Sequence, residues 1–327
     1  MLAGGAGVSL IGPLVVNVTL SKWFVMQRGW AIAIGSMGIS LSGLITPVTM
    51  TKIVDSIGWR DGYVVLAIAM VALLTPVVLV MRRRPEDYGM LPDGEHPAHP
   101  HITDVSGHPT AAEEDAANSY TRAEAIRTHA LWALTVGYGL NLTAMSSILM
   151  HGIPYMTDAG FSRSEASLAL AINGLGNLLS KFLWGWGLNR IEARYLSTGA
   201  FASSATGVML MLLASGTGSL TILFIGFFAW GFGFGGTLPL GEFLWAQYFG
   251  RRHLGAVRSV AVPFTIIFGS IGPILVGLYF DALNEYDGAF FVLVAVYIAG
   301  GLAIFSSRQP PPKTRRSSGK PINQTAA

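Results

Sequence analysis

Long apolar stretches alternate with short polar segments along most of the chain. A helix crosses a bilayer core of about 30 Å with roughly 20 residues, because each residue advances about 1.5 Å. Nine stretches reach this length. A soluble protein would not contain nine helices that are apolar on every face. The pattern predicts an all-α membrane protein with nine transmembrane helices. The predicted spans are 2–20, 30–50, 63–81, 131–151, 166–188, 195–214, 218–245, 256–280 and 289–306.

The composition agrees with a membrane protein. Apolar residues make up 51% of the 327 residues and charged residues 12%, whereas soluble domains carry about 25% charged residues. The chain has no cysteine, so neither disulfides nor thiolate metal sites can form. It also has no Walker sequence and no nucleophile and base at a spacing that a helix would hold together. We therefore expect neither an enzyme nor an ATP-driven pump, and no cofactor, metal ion or nucleic-acid partner.

Lysine and arginine residues are concentrated in alternate connections between the predicted spans. Lys52, Arg60 and Arg163 fall on the opposite side, and Lys181 falls inside the stretch 166–188. Connections rich in Lys and Arg remain in the cytoplasm during insertion. We therefore expect a multi-pass protein of the plasma (inner) membrane whose C-terminus is cytoplasmic.

Residues of the first three spans recur in the last three at one constant offset. Parallel repeats of six helices are the mark of the major facilitator architecture. On this interpretation three further helices would precede Met1, and the chain is an incomplete 6+6 pseudo-repeat; a true nine-helix protein is the alternative. The matching pairs are Gly5 and Gly231, Gly7 and Gly233, Pro13 and Pro239, Gly43 and Gly269, Pro47 and Pro273, and Asp61 and Asp287.

The repeat and the loop lengths divide the chain into four parts. Residues 1–82 form a partial N-terminal helix bundle equivalent to helices four to six, and residues 129–308 form a C-terminal six-helix bundle. Residues 83–128 lack periodicity and predict a flexible cytoplasmic linker, apart from a capping box at 121–124. Residues 309–327 predict a disordered cytoplasmic tail near anionic headgroups.

Lys181 is the candidate for solute binding, because we assign every other Lys and Arg to a connection or helix end. Charge at membrane depth is costly and usually marks a pathway or a binding site. Asn173 and Asn177 precede Lys181 on the same helix face, at i, i+4 and i+8. We expect Lys181 to attract an anion and the two asparagines to line a cavity. Snorkelling of the lysine toward the interface and interhelical hydrogen bonding by the asparagines are the alternatives.

Two further features concern the helix faces. Tyr138 and Asn141 share a face of the span 131–151 and could donate hydrogen bonds to a substrate, although packing would explain them equally well. The segment 231–236 contains the glycine pattern of dinucleotide-binding loops, but no strand precedes it. Its small residues at four-residue spacing instead predict close helix contact or bending.

Several motifs resemble one transporter family. Trp23-Phe24, Arg28-Gly29 and Gly58-Trp59-Arg60 resemble the fourth-to-sixth helix region of monocarboxylate porters. The segments 83–89 and 91–94 are similar to bacterial oxalate–formate antiporters. This resemblance implies alternating access around a central cavity, with a cation that binds the substrate carboxylate.

The resemblance also implies roles for single residues. Monocarboxylate porters carry an Asp and, four residues later, an Arg where this chain has Asn177 and Lys181. Lys keeps the charge but loses the bidentate fork of Arg, and Asn177 cannot carry a proton. Glu242, near the cytoplasmic end of its helix, is expected to pair with Arg251, Arg252 or Arg194 in a gate. The gate residues that we expect in the cytoplasmic loops are Arg28, Arg190, Arg194, Glu242, Arg251 and Arg252.

Three functional hypotheses follow. The first is a secondary transporter of small organic anions, mono- or dicarboxylates, which works as a monomer in the bilayer and is coupled to a proton or a counter-substrate. The second is a transporter of another solute class, such as an amphipathic drug or metabolite, with a cavity lined by Phe182, Trp184 and Trp186. The third is a membrane protein or fragment that does not transport.

Overall fold

The computed structural model describes residues 13–82, 84–90, 92–94, 118–188 and 190–311. Within these ranges all regular structure is helical, which confirms the all-α prediction. The α-helices are α1 Pro13–Trp23, α2 Arg28–Ile57, α3 Trp59–Val80, α4 Arg122–Ile126, α5 His129–Asp158, α6 Arg163–Gly187, α7 Ala193–Thr217, α8 Leu220–Phe249, α9 Leu254–Leu283 and α10 Asp287–Ser306.

Seven of these helices, α3 and α5 to α10, are long and apolar enough to cross a membrane. α2 has 30 residues and covers the predicted span 30–50. The predicted span 2–20 lies largely outside the described residues, which include only its end in α1. The chain is therefore a multi-pass helical membrane protein, and the number of nine spans stays a prediction.

The helices α5 to α10 form one bundle. α8 packs along α6 and α7, α9 packs along α5, and α10 packs along both α5 and α7. The indole N–H of Trp230 donates to the hydroxyl of Tyr297 at 2.8 Å and so joins α8 to α10 inside the bundle. α2 packs against α6 and α8 and provides the main contact between the bundle and the first three helices.

Two glycines bring α6 and α8 into backbone contact. A Cβ atom on Gly231 would lie less than 3.0 Å from the carbonyl oxygen of Asn173, and one on Gly235 less than 3.0 Å from that of Asn177. Residues four apart share a helix face, so small residues at this spacing let two backbones approach. The structure thus supports close helix contact as the role of the glycine segment.

The described parts of the predicted linker contain short helical turns. Two 3-10 turns form at Pro85–Tyr88 and Pro92–Gly94. The carboxylate of Asp93 accepts hydrogen bonds from the backbone N–H groups of Val25, Met26 and Gln27, the shortest at 2.9 Å. An acceptor at the exposed N–H groups before a helix replaces the partners that the helix cannot provide, so this contact fixes the turn before α2.

The C-terminal end of the linker contacts the equivalent turn in the C-terminal bundle. In the internal repeat the turn 25–27 corresponds to 251–253, which precedes α9. The hydroxyl oxygen of Ser119 accepts from the backbone N–H of Arg252 at 3.1 Å. The predicted capping box is confirmed, since Thr121 and Glu124 cap α4 reciprocally. Residues 95–117 of the linker and 312–327 of the tail lie outside the described residues.

Replacement of the Asp93 carboxylate should destabilise this side of the molecule. We expect Asp93→Ala to lower the free energy of unfolding by about 1–2 kcal/mol, because it removes a cap from several N–H groups. The measurement is thermal unfolding in detergent, with limited proteolysis of the turn 25–27. Asp87→Ala is the matched control, because the one ion pair of Asp87 among the described residues is an exposed pair with Arg84 at 3.7 Å and such pairs contribute little. Equal unfolding of the two variants would contradict the capping role.

Candidate functional site: a buried lysine and a polar-tipped cavity

Lys181 lies deep in the packed helices, with only 2% of its surface exposed. Its ammonium nitrogen Nζ donates to the carbonyl oxygen of Gly235 at 3.4 Å, a long contact. Gly235 lies in the middle of α8, so the ammonium does not reach toward a helix end as snorkelling would require. Among the described residues no carboxylate lies within ion-pair distance of Lys181. The structure therefore holds a buried cation with one weak acceptor.

Asn177 lies one turn before Lys181, where α6 meets α2. We call residues 1–82 and 129–308 the first and second halves, so this is the contact between the two halves. It is 7% exposed, and its side-chain oxygen Oδ1 accepts from the hydroxyl of Ser40 in α2 at 2.6 Å. This hydrogen bond joins α2 to α6. If the two halves moved relative to each other at this contact, the hydrogen bond between Ser40 and Asn177 would have to break.

Asn173 lies in the crossing of α6 and α8. It is 5% exposed, and its backbone carbonyl faces Gly231. Its side-chain amide nitrogen has no hydrogen-bond partner among the described residues. A buried donor without an acceptor costs about 1–3 kcal/mol, so the site contains an unmet donor as well as an unpaired cation.

A separate cavity of about 390 Å³ lies between α5, α8 and α9. Tyr138, Asn141 and Glu242 line it, whereas Asn173, Asn177 and Lys181 do not. The Tyr138 hydroxyl is hydrogen bonded to Ser197 at 2.9 Å, and the amide of Asn141 donates to Thr237 at 3.4 Å. The five residues predicted for solute binding thus divide into two places.

The predicted partners of Glu242 are wrong. Its carboxylate accepts a hydrogen bond from the guanidinium of Arg258 in the same cavity. Arg251 instead pairs with Glu86 at 2.7 Å, and Arg194 pairs with Glu192 at 2.8 Å. The prediction failed because Glu242 is near the end of its helix in the sequence, which favoured the arginines of the loops as its partners.

Sequence reasoning also missed Arg258 as a site residue. The charge pattern groups it with Arg251 and Arg252 of the connection, whereas it is the fifth residue of α9 and lines the cavity. The available signal was its position inside the predicted span 256–280. The aromatic cavity of the alternative hypothesis stays a prediction, because none of its three residues lines the cavity described above. Phe182 and Trp186 are half exposed, and Trp184 donates to the carbonyl of Phe232 at 3.0 Å.

Of the predicted gate residues, Arg28, Arg251 and Arg252 lie at the turns that precede α2 and α9, and Arg190 and Arg194 lie at the turn between α6 and α7. We call this side of the molecule the basic side. Arg251 donates to the carbonyl oxygen of Lys22 at 3.2 Å and so links the turns of the two halves. The buried Arg28 lies beside the carbonyl of Phe24, and the guanidinium of Arg190 lies 4.2 Å above the ring of Trp186. The contact between Arg251 and Lys22 joins the two halves on this side, whereas the other two contacts are local, and gating by these residues stays a prediction.

A six-helix bundle that packs against further helices of the same chain, with a buried cation near their contact, is the architecture of a membrane transporter. The sequence profile of the Major Facilitator Superfamily matches residues 134–326. The chain belongs to this superfamily. The match covers α5 to α10 and the segment after them.

Two curated relatives from Bacillus subtilis (strain 168) are similar to the chain. It is 32% identical to the glycerol-3-phosphate transporter over 151 residues, which are 45% of this chain and 34% of the relative. It is 23% identical to the uncharacterized MFS-type transporter YcxA over 307 residues, 90% of this chain and 67% of the relative. The matched parts are thus about a third and two thirds of these relatives.

The fold is similar to a solved structure of the same superfamily. The crystal structure of a single-residue variant of the E. coli fucose:proton symporter FucP superposes with a TM-score of 0.60 at 14% identity, over 91% of this chain and 73% of that chain. This likeness shows the fold alone. The narrower resemblance to monocarboxylate and oxalate–formate carriers stays a prediction.

Proposed function

We propose that the protein is a secondary transporter of small organic anions, in which Lys181 attracts the anionic group. The observation that carries the proposal is the burial of this ammonium, 2% exposed, with one contact of 3.4 Å and no carboxylate partner among the described residues. A buried charge is expensive unless it is paired. An anionic solute would provide the partner that the protein does not.

The position of Lys181 supports alternating access. Asn177, which bridges to Ser40 of the first half, lies four residues before Lys181, about 6 Å along the helix. An anion drawn to Lys181 would therefore lie beside the contact between the halves, where a rocking motion exposes it to either side. A proton or a counter-substrate would supply the driving force.

The relatives are consistent with an anionic solute. The glycerol-3-phosphate transporter is named for a phosphomonoester, which is an organic anion. The fucose:proton symporter is named for a neutral sugar and a proton, so the superfamily also carries other solutes. We retain carboxylates as the proposed class and place the phosphomonoesters beside them in the test.

The remaining parts of the proposal concern placement. The halves are residues 1–82 and 129–308, with the linker and the tail on the basic side. The excess of Lys and Arg places this side in the cytoplasm of a plasma (inner) membrane. The protein would work there as a monomer, in which α2 of the first half packs against α6 and α8 of the second.

Ligand-induced stabilisation tests the solute class. Purified protein is heated with lactate, oxalate, glycerol-3-phosphate, fucose or tetraphenylphosphonium, a hydrophobic cation, and the unfolding midpoint is measured. We expect an anion at about 100 times its Kd to stabilise the fold by about 2.7 kcal/mol, and fucose and the cation to have no effect. Stabilisation by the hydrophobic cation alone would favour the amphipathic-drug hypothesis and overturn the anion proposal.

A further inference from the structure

Arg258 and Glu242 form the one ion pair in the cavity between α5, α8 and α9, as far as the described residues show. The cavity occupies the half of the bundle nearer to the basic side, because Arg258 is in the second turn of α9 and Glu242 precedes the last two turns of α8. Lys181 does not line it. The cavity and its cation are thus separate from the site built around Lys181.

The guanidinium of Arg258 has N–H donors that no described protein acceptor uses. It donates to Glu242 through Nη1, and its carbon Cζ lies 5.3 Å from the ring centre of Trp245. A guanidinium has five N–H donors in a planar fork, and within the described part of the chain only this one has a protein acceptor. The fork matches a carboxylate in two parallel hydrogen bonds. Arg258 can therefore bind a second carboxylate or exchange Glu242 for it.

The rest of the cavity wall is mainly apolar. Leu134, Leu142, Met145, Phe234 and Val262 line it together with Trp245. A volume of about 390 Å³ falls within the range of roughly 300–1,000 Å³ that small-molecule sites have. Oxalate or formate would leave most of this apolar surface uncovered. A longer apolar body would bury it and gain the corresponding hydrophobic free energy.

We propose that this cavity is a second anion site, in which Arg258 anchors the carboxylate of an amphipathic monocarboxylate and the apolar wall holds its body. The inference rests on the proposed function, since it names a preferred class among the organic anions. Glu242, 5% exposed, acts as the internal carboxylate that the solute displaces. The site therefore selects for one charge at one end of an apolar molecule.

Trp245 provides a direct reporter of this site. Protein in nanodiscs is titrated with hexanoate, with the neutral hexanamide and with oxalate, and tryptophan fluorescence is recorded. We expect saturable quenching by hexanoate and at least tenfold weaker binding of hexanamide and oxalate. Trp245→Phe should remove the hexanoate signal. Equal binding of hexanoate and hexanamide would overturn the role of the cation.

Variants of the ion pair separate binding from folding. Arg258→Gln alone leaves Glu242 buried without a partner, so the double variant Arg258→Gln/Glu242→Gln removes both charges together. We expect the double variant to fold and to bind hexanoate at least tenfold more weakly. Glu242→Gln alone should bind it severalfold more tightly, because Arg258 is released. Arg122→Gln, on exposed α4, is the control; hexanoate binding by the double variant equal to that of this control would overturn the inference.

The same titration separates this inference from the proposed function. Lys181→Ala should retain the Trp245 signal with hexanoate, because Lys181 does not line the cavity. If carboxylates stabilise the protein and the ion-pair variants do not change hexanoate binding, only the second site is wrong. If no carboxylate stabilises the protein or quenches Trp245, both proposals are wrong.

Discussion

Lys181→Ala is expected to reduce saturable uptake of carboxylates by about 100-fold or more while the protein still inserts into the membrane. The ammonium is the only positive charge at its depth in α6, and no described carboxylate neutralises it. An anion that binds there loses its hydration and depends on this charge for compensation. Removing one partner of a buried ion pair costs about 3–5 kcal/mol, and each 1.4 kcal/mol is a factor of ten.

Two further substitutions separate the charge from the packing. Lys181→Met keeps most of the volume without the charge, so it should abolish uptake and leave the thermal midpoint unchanged or raised, because a buried unpaired charge is removed. Lys181→Arg keeps the charge and adds a bidentate fork, so it should retain uptake. Uptake is measured with labelled lactate in liposomes. Normal uptake by the methionine variant would remove Lys181 from the mechanism.

Gly231→Ala and Gly235→Ala are expected to destabilise the protein strongly. In each case the added Cβ would lie less than 3.0 Å from a backbone carbonyl oxygen of α6. A side chain can avoid such a clash by changing its rotamer, but a backbone carbonyl in a helix cannot. The two helices must therefore separate. We expect each variant to lose about 2–3 kcal/mol and to unfold at a lower temperature in detergent.

Gly174→Ala is the matched control for these two variants. Gly174 lies in α6 between the crossing residues, but a Cβ there would meet no atom within 4 Å. Alanine favours a helix by about 1 kcal/mol over glycine, so this variant should be as stable as the wild type or slightly more stable. If Gly235→Ala unfolded at the same temperature as Gly174→Ala, the close crossing of α6 and α8 would be wrong.

The helices and their close contact could be predicted from the sequence because both depend on local pattern. An apolar stretch of sufficient length gives α6 to α10 within about four residues of their observed ends, whereas α5 continues to Asp158, past the predicted span 131–151. The glycines around Gly231 and Gly235 indicated a close helix contact, because small residues at four-residue spacing leave room for another helix. The place of Lys181 inside the stretch 166–188 indicated membrane depth but left snorkelling open, and the structure buries the side chain.

The partners of the polar residues could not be predicted, because they depend on which helices become neighbours. Glu242 pairs with Arg258 because α8 and α9 both border the cavity, although loop arginines are closer to it in sequence. Asp93 holds the turn before α2 across a long separation in sequence. Asn173 lies in a helix crossing and Asn141 in the cavity, although both were expected to line one site. Periodicity gives the face of a helix but not the element that this face meets.

Counterflow in liposomes tests secondary transport of organic anions most directly. Liposomes that contain the protein are loaded with unlabelled lactate and diluted, without ATP, into a trace of labelled lactate. We expect a transient accumulation of label above equilibrium that is saturable and is absent with Lys181→Met. Entry of label that is linear, unaffected by the internal lactate and equal to entry into protein-free liposomes would contradict it.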